Sequence, residues 1–174
     1  MERGLKRPME PATIRNGDVV LSDDTYRRTN IRWLNRLDSD ISWIITKIEH
    51  AVRLANRNAF QFDITYFHEL QFGEYTEEQQ GKYDWHEDIQ WASNDLAQRK
   101  LSIFIQLSSP EDYVGGDVEI RHYEINASKM PPAEHLRSKG TAFIFPSFLS
   151  HRVTPVVQGT RYSLVSWYEG SPFR

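Results

Sequence analysis

The sequence predicts a mainly β fold with flanking helices: an antiparallel, two-sheet jelly roll. Three features carry that prediction. Short alternating runs follow one another from Phe60 to Trp167, turn-forming residues separate them, and one amphipathic helix precedes them. At 174 residues the chain is long enough for a core of its own and reads as one domain. Residues 1–58 read as an N-terminal segment with supporting helices, and 59–170 as the jelly-roll core.

Taken in order, residues 1–20 carry Pro8, Pro11 and Gly17 without a clear period and end in a short strand at Val19–Leu21. The cluster Arg27, Arg28, Arg32 and Arg36, with Ile31, Trp33 and Leu34 free to pack inward, reads as a solvated helix face. Residues 38–57 hold the clearest helix, because Ile41, Ile44/Ile45, Ile48, Val52 and Ala55 recur at steps of three and four. Asp38 or Ser39 suits its start, and Asn56 or Asn58 its end. Phe60, Phe62, Ile64 and Tyr66 then alternate with Gln61, Asp63, Thr65 and Phe67 as a strand. Further strands are expected at Leu70–Tyr75, Lys82–Gln90, Lys100–Leu107, Asp117–His122, Thr141–Phe145, His151–Val157 and Arg161–Trp167. Gly81, Ser109-Pro110, Gly115-Gly116, Pro131-Pro132, Gly140 and Gly159 punctuate them. Ala127–Ser138, polar with two prolines, reads as a mobile loop.

Composition narrows the chemistry. With no cysteine, disulfides, thiolate metal sites and cysteine nucleophiles are excluded, so a metal must be held by His, Asp or Glu. A net charge of −3 offers no basic field for nucleic acid. No apolar run is long enough to span a membrane and no signal-like segment opens the chain, which fits a cytoplasmic protein without a membrane partner.

Two segments carry the candidate site. The first is Tyr83-Asp84-Trp85-His86-Glu87-Asp88; the second runs from Phe145-Pro146-Ser147 to His151-Arg152-Val153 and on to Arg161. Residues i and i+2 of a strand share a face, so His86 and Asp88 can converge on one ion. His-x-Asp alone is weak evidence, because His122-Tyr123-Glu124 repeats the spacing with glutamate. His86, however, is flanked by aromatic residues that can wall off a dry pocket, and His151 opens a strand just after a turn. His122 and Glu124 instead run into the predicted loop, and His50, His68 and His135 read as structural or surface histidines. Two imidazoles and one carboxylate leave positions open on a metal, which is the ligand set of non-haem Fe(II) oxygenases. Arg161 is expected on the strand after His151, beyond a short turn Val157-Gln158-Gly159-Thr160, near the metal but deeper. A buried guanidinium is costly unless an anion meets it, and its planar fork fits a carboxylate. A diacid that chelates the metal at one end and meets Arg161 at the other satisfies both demands.

These residues resemble the Fe(II)/2-oxoglutarate-dependent dioxygenases, and more closely their prolyl 4-hydroxylase-like branch, over roughly Leu70 to Gly170. The blocks that carry the likeness are Gln71–Tyr75 with Tyr83-x-x-His86-x-Asp88, Arg99-Lys100-Leu101-Ser102, Tyr113-Val114-Gly115-Gly116-Asp117, Gly140 through Ser147, and His151-Arg152-Val153-x-Pro155-Val156 with Gly159-x-Arg161-Tyr162-Ser163. The resemblance implies a double-stranded β-helix in which His86, Asp88 and His151 bind Fe(II). It implies that Arg161 holds the distal carboxylate of 2-oxoglutarate, assisted by Tyr75 and Ser102, with Trp167 lining the pocket. Tyr83 and Trp85 are candidate substrate-side residues. O₂ is the second co-substrate, and succinate and CO₂ the co-products. Halogenating relatives lack the carboxylate ligand, so Asp88 points to hydroxylation.

The leading reading is therefore a hydroxylase of a protein or peptide side chain such as proline, with a free amino acid or small metabolite as the alternative substrate. Glu74–Lys82 and Ala127–Ser138 are expected to frame the mouth, and Glu74, Glu77, Glu78, Asp84 and Glu87 to make its approach acidic. A nucleic-acid demethylase is disfavoured, because Trp167 stands where that branch carries a second arginine. The reading from another class is a non-enzymatic jelly-roll binding or scaffold module.

Overall fold

The structure, a computed structural model, describes residues 1–16, 19–67, 69–91, 96–121 and 133–174. Gly17, His68, the His122/Glu124 pair, Pro131-Pro132 and positions 127–132 of the predicted loop lie outside the described residues. In chain order the strands are β1 (Glu10–Pro11), β2 (Ile14–Asn16), β3 (Val19–Leu21), β4 (Arg27–Arg28), β5 (Asn30–Leu34), β6 (Tyr66–Phe67) and β7 (Leu70–Thr76). They continue as β8 (Lys82–His86), β9 (Gln98–Gln106), β10 (Tyr113–Gly115), β11 (Val118–Ile120), β12 (Ala142–Pro146), β13 (His151–Val153) and β14 (Val156–Gly170). The α-helices are α1 (Glu2–Leu5), α2 (Ser42–Ala55) and α3 (Ala133–Arg137). None among the described residues is long and apolar enough to cross a membrane.

The strands form two main antiparallel sheets. The larger runs β1-β5-β7-β14-β9-β12, with β6 and β10 also pairing with β14; the smaller runs β11-β13-β8-β4. Strand β14 is the axis, bonded to β7 on one side and β9 on the other. Its alternation separates two environments. Tyr162, Leu164 and Tyr168 pack with the apolar core, whereas Arg161, Ser163, Val165, Trp167 and Glu169 line a cavity. That core holds Ile41, Ile48 and Val52 of the α2 segment against Leu70, Phe72, Leu101, Ile103 and Ile105. The helix therefore stiffens the sheet from the side opposite the cavity.

Several local expectations are corrected. The arginine cluster is not a helix face: Arg27–Arg28 form β4, Arg32 lies in β5, and both Arg27 and Arg32 are buried. Arg32 can be buried because Glu74 pairs with it at 2.6 Å. Helix α2 begins later than predicted, with no side-chain cap at Ile41. Asp38 is occupied instead by Arg7, at 2.9 Å. The alternation from Phe60 yields a strand only at Tyr66–Phe67. A π-helical turn at Asn56–Phe60 ends with Gln61 in the left-handed region (φ 55°), and Asn56 both donates to and accepts from the Phe62 backbone. That amide grip closes the helix as expected of Asn56 but turns the chain away from strand pairing. Positions 133–137 of the predicted loop are helical, with Leu136 buried. Residues 77–80 form a tight turn between β7 and β8, and none of them lines the cavity.

Ile48 is 2% exposed and sits where α2 meets the sheet. Ile48→Ala is expected to lower unfolding stability by about 2–4 kcal/mol in urea titration. Divalent-metal binding should survive, because the helix and the cavity lie on opposite faces.

Candidate metal centre

Strand β8 delivers two residues into the cavity that simple alternation would set on opposite faces. Opposite β13, His151 pairs with His86 and Val153 with Tyr83, so β8 carries an extra residue, a β-bulge over Asp84 and Trp85. The bulge is stapled by Asp84: its Oδ1 accepts the Trp85 N–H at 2.8 Å, and its backbone carbonyl accepts His86 Nδ1–H at 2.7 Å. His151 repeats the device, with Nδ1–H donating to the Leu149 carbonyl at 2.9 Å. In both rings this fixes the tautomer and leaves Nε2 free to bind a metal.

Asp88 does not reach the site by strand alternation. Strand β8 ends at His86, and the next residues bend. The backbone N–H groups of Asp88 and Ile89 both donate to the Ser147 carbonyl, at 2.9 and 3.2 Å. This swings the carboxylate under the imidazoles. Asp88 Oδ1 lies 3.8 Å from His86 Nε2, and Oδ2 lies 3.5 Å from His151 Nε2. One ligand atom from each residue falls within 4.8 Å of the other two. Bonds of about 2.0–2.2 Å to one ion span the 3.8 and 3.5 Å between Asp88 and the two imidazoles, so the donor set fits a 2-His-1-carboxylate metal centre.

Burial poises these groups as ligands. Desolvation first, and then neighbouring His151, push the His86 imidazole down to about 3, so it is neutral near pH 7. Burial acts to raise the Asp88 carboxyl, but His151, His86, Arg99 and the Ser102 hydrogen bond outweigh it and hold the group below its ordinary value.

Arg161 lies on β14 directly across from Tyr75 on β7, its guanidinium carbon 5.3 Å from the centre of the Tyr75 ring. It is 2% exposed, and its Nη1 has no hydrogen-bond partner among the described residues. The predicted turn at 157–160 does not exist. The chain instead crosses from the smaller sheet to the larger at Thr154-Pro155 without reversing: β13 pairs with β11, and β14, unbroken from Val156, pairs next with β10. Arg161 therefore belongs to the sheet opposite His151, and the cavity lies between them. A side chain at Gly116 (φ 63°) would press on Val156 and on Arg161 Cδ at 2.9 and 3.0 Å, so only glycine leaves the arginine its place.

The other candidates separate clearly. Tyr75, Tyr83 and Trp167 line the cavity of about 710 Å³ together with His86, Asp88, His151 and Arg161. Tyr83 stacks on His86 with ring centres 3.5 Å apart, and Arg99 lies over Trp167 at 4.0 Å. Ser102 is not a cavity residue. Its hydroxyl donates to Asp88 Oδ2 at 2.6 Å and meets the Ser147 hydroxyl at 2.9 Å, so it orients the carboxylate ligand. Trp85 is likewise outside the cavity, packed between Arg121 and Arg152 at 4.4 and 4.9 Å. Of the acids expected at the mouth, only Glu87 lines the cavity; Glu74 pairs with Arg32 and Glu77 bonds the Gly159 N–H.

Two residues escaped the sequence reading: Ser147, fully buried behind Asp88, and Arg27, buried in the cavity wall. The alternation Arg27, Thr29, Ile31, all buried, was a signal for a strand, masked by the surrounding charge.

Asp88→Asn and His86→Ala are expected to abolish stoichiometric Co(II) binding in calorimetry. Ser102→Ala should weaken it by about tenfold or more, since it removes a hydrogen bond to a ligand, whereas Ser147→Ala, which keeps the carbonyl that holds Asp88, should weaken it less. The His86 shift also sets a pH dependence. The folded form resists protonation and the unfolded form does not, so the metal-free protein should lose stability as pH falls from about 6.5 towards 3. Urea unfolding across that window measures it, and a His86→Gln variant should show a shallower fall.

The description "2OG-Fe(II) oxygenase superfamily" matches residues 70–169. A PKHD-type hydroxylase from Synechococcus sp. (strain JA-3-3Ab) is 36% identical over 74 residues, 42% of this chain and 30% of that protein. One from Hyphomonas neptunium is 38% identical over 72 residues, 41% and 29% of the two chains. The matched stretch thus spans under a third of these relatives' length. Among solved structures, a Pseudomonas putida prolyl-4-hydroxylase superposes with a TM-score of 0.67 at 19% identity, covering 98% of this chain and 82% of the other. A prolyl hydroxylase in complex with a hypoxia inducible factor peptide fragment, from Trichoplax adhaerens, gives 0.65 at 18% identity, with 85% and 66% covered. The fold is therefore that of the jelly-roll oxygenases. With the match spanning more than half the chain, including His86, Asp88, His151 and Arg161, this protein belongs to the 2OG-Fe(II) oxygenase superfamily.

Proposed function

We propose that the protein is an Fe(II)- and 2-oxoglutarate-dependent hydroxylase that uses O₂, releases succinate and CO₂, and acts in the cytoplasm on a protein or peptide side chain such as proline. The observation that carries this reading is the buried His86–Asp88–His151 cluster, which shares one cavity with Arg161, a cation of 2% exposure. A buried guanidinium without a carboxylate partner calls for an anion, and a ligand anchored on a nearby metal supplies one in the right place.

His86, Asp88 and His151 would hold the iron through two Nε2 atoms and a carboxylate oxygen. When bound, Fe(II) with 2-oxoglutarate supplies the oxidising power for inserting one oxygen atom into a substrate C–H bond. Arg161 receives the distal carboxylate, and the Tyr75 ring beside it restricts where that carboxylate can lie. Phe145, Val165 and Trp167 form apolar walls that limit water around the reacting groups. Tyr83, fixed over His86, shapes the substrate side. A peptide substrate is supported by the Trichoplax adhaerens structure, which holds a peptide fragment in the same fold.

Succinate release from 2-oxoglutarate, measured after air is admitted to anaerobically Fe(II)-loaded protein with a panel of peptides and amino acids, tests this reading. Turnover should vanish in His86→Ala, and Arg161→Ala should weaken 2-oxoglutarate binding by at least about tenfold, because it removes a charge-assisted contact. Absence of succinate with every substrate offered, in protein that binds neither Fe(II) nor 2-oxoglutarate, would favour a non-enzymatic binding module instead.

A further inference from the structure

Two buried arginines face the cavity, and 2-oxoglutarate accounts for only one of them. Arg27 on β4 is 8% exposed and lines the same cavity as Arg161. Its Nη2 donates to Gln71 Oε1 at 2.7 Å and its Nη1 to the Thr13 carbonyl at 3.4 Å, and its guanidinium carbon lies 4.3 Å from the centre of the Tyr83 ring. Its Nε has no partner among the described residues. All three partners are neutral. They satisfy N–H groups and orient the fork, but they do not balance the charge, and among the described residues no carboxylate pairs with Arg27. Arg32, buried in the adjacent strand, shows the contrast, being neutralised by Glu74. Leaving a guanidinium buried without a countercharge is costly, which marks Arg27 as a group awaiting an anion.

Its position says which anion. Arg27, Tyr83 and His86 are layered, with Tyr83 over His86 at 3.5 Å, so Arg27 stands one ring away from the metal cluster. The two carboxylates of 2-oxoglutarate are already assigned, one to the metal and the other to Arg161. We infer that Arg27 is a specificity-determining residue that binds a carboxylate of the prime substrate, close to the carbon that is hydroxylated. This rests on the hydroxylase reading and narrows its substrate class. The substrate carries an acid near the target carbon, either the α-carboxylate of a free amino acid or the side chain of Asp or Glu beside the target residue in a peptide. Besides Asp88 of the metal cluster, the cavity is lined by Glu87 and Glu169 and by three arginines, Arg27, Arg99 and Arg161.

The test compares acids with their amides on protein loaded with Co(II) and 2-oxoglutarate. The panel holds the standard free amino acids against their amides, and capped Pro-Glu and Pro-Asp peptides against Pro-Gln and Pro-Asn. Binding is read by calorimetry, and succinate formation is read separately on the Fe(II) form. At least one acid should bind about tenfold or more tightly than its amide. Whether that member is a free amino acid or a peptide identifies the source of the carboxylate. Arg27→Gln should erase the difference without weakening 2-oxoglutarate, which depends on Arg161, and Arg27→Lys should keep part of it. Acids and amides that bind alike across the panel overturn the inference, as does a preference that survives Arg27→Gln. Should Arg27→Gln fail to fold, the wild-type acid–amide comparison and Arg27→Lys decide. Arg27-dependent acid binding without succinate would sink the hydroxylase reading and leave the carboxylate site standing; succinate stimulated equally by acids and amides would do the reverse.

Discussion

Ser147 is the residue on which the site depends. Its carbonyl accepts the N–H groups of both Asp88 and Ile89, its own N–H donates to the Lys100 carbonyl, and its hydroxyl meets that of Ser102. Three separate parts of the chain are thereby joined: the bend after β8, strand β9 of the larger sheet, and the segment leading to His151. Once that joint is made, the carboxylate ligand has one position, and Ser102 completes its support. Nothing in regular strand geometry would otherwise hold Asp88, because it lies beyond the end of β8. The candidate metal centre thus sits at the seam between the two sheets.

The same seam explains how so many charged groups are buried without opening the fold. Strand β14 gives its apolar side chains to the α2 face and sends Arg161, Ser163 and Glu169 with two apolar residues into the cavity. Burying a charge costs far more than one methylene of apolar burial returns. The helix-side core, with Val52 and Leu101 fully buried, offsets that cost from the opposite face of the sheet. Structure and chemistry are assigned to alternate residues of one strand, which lets a small chain afford both.

Much of this was legible in the sequence, though partly for reasons the structure changes. His86, Asp88 and His151 were recognisable as donor types on strand-like segments. Their convergence rests on a bulge at Asp84/Trp85 and on Ser147, neither of which leaves a periodic signal. Arg161 was found through the cost of burying it, yet the turn expected before it is continuous strand, because Gly159 reads as a turn signal while sitting inside a long strand paired to β10. Arg27 was hidden by its neighbours: a run of arginines suggests solvent, and only the tertiary pairing of β4 with β8 reveals which of them turns inward. Ser102 was expected to assist 2-oxoglutarate and Trp85 to face substrate, whereas alternation and the bulge put one on the Asp88 carboxylate and the other outside the cavity, against Arg121 and Arg152.

The central claim is that one cavity holds a metal on His86, Asp88 and His151 together with a diacid on Arg161. Anaerobic absorption spectroscopy tests it most directly: 2-oxoglutarate is titrated into Fe(II)-loaded protein, in the wild type and in Arg161→Ala. The account predicts a visible charge-transfer band that saturates at one equivalent in the wild type and needs at least about tenfold more 2-oxoglutarate in the variant. No band in folded, Fe(II)-loaded wild-type protein, or an identical titration in Arg161→Ala, would contradict it.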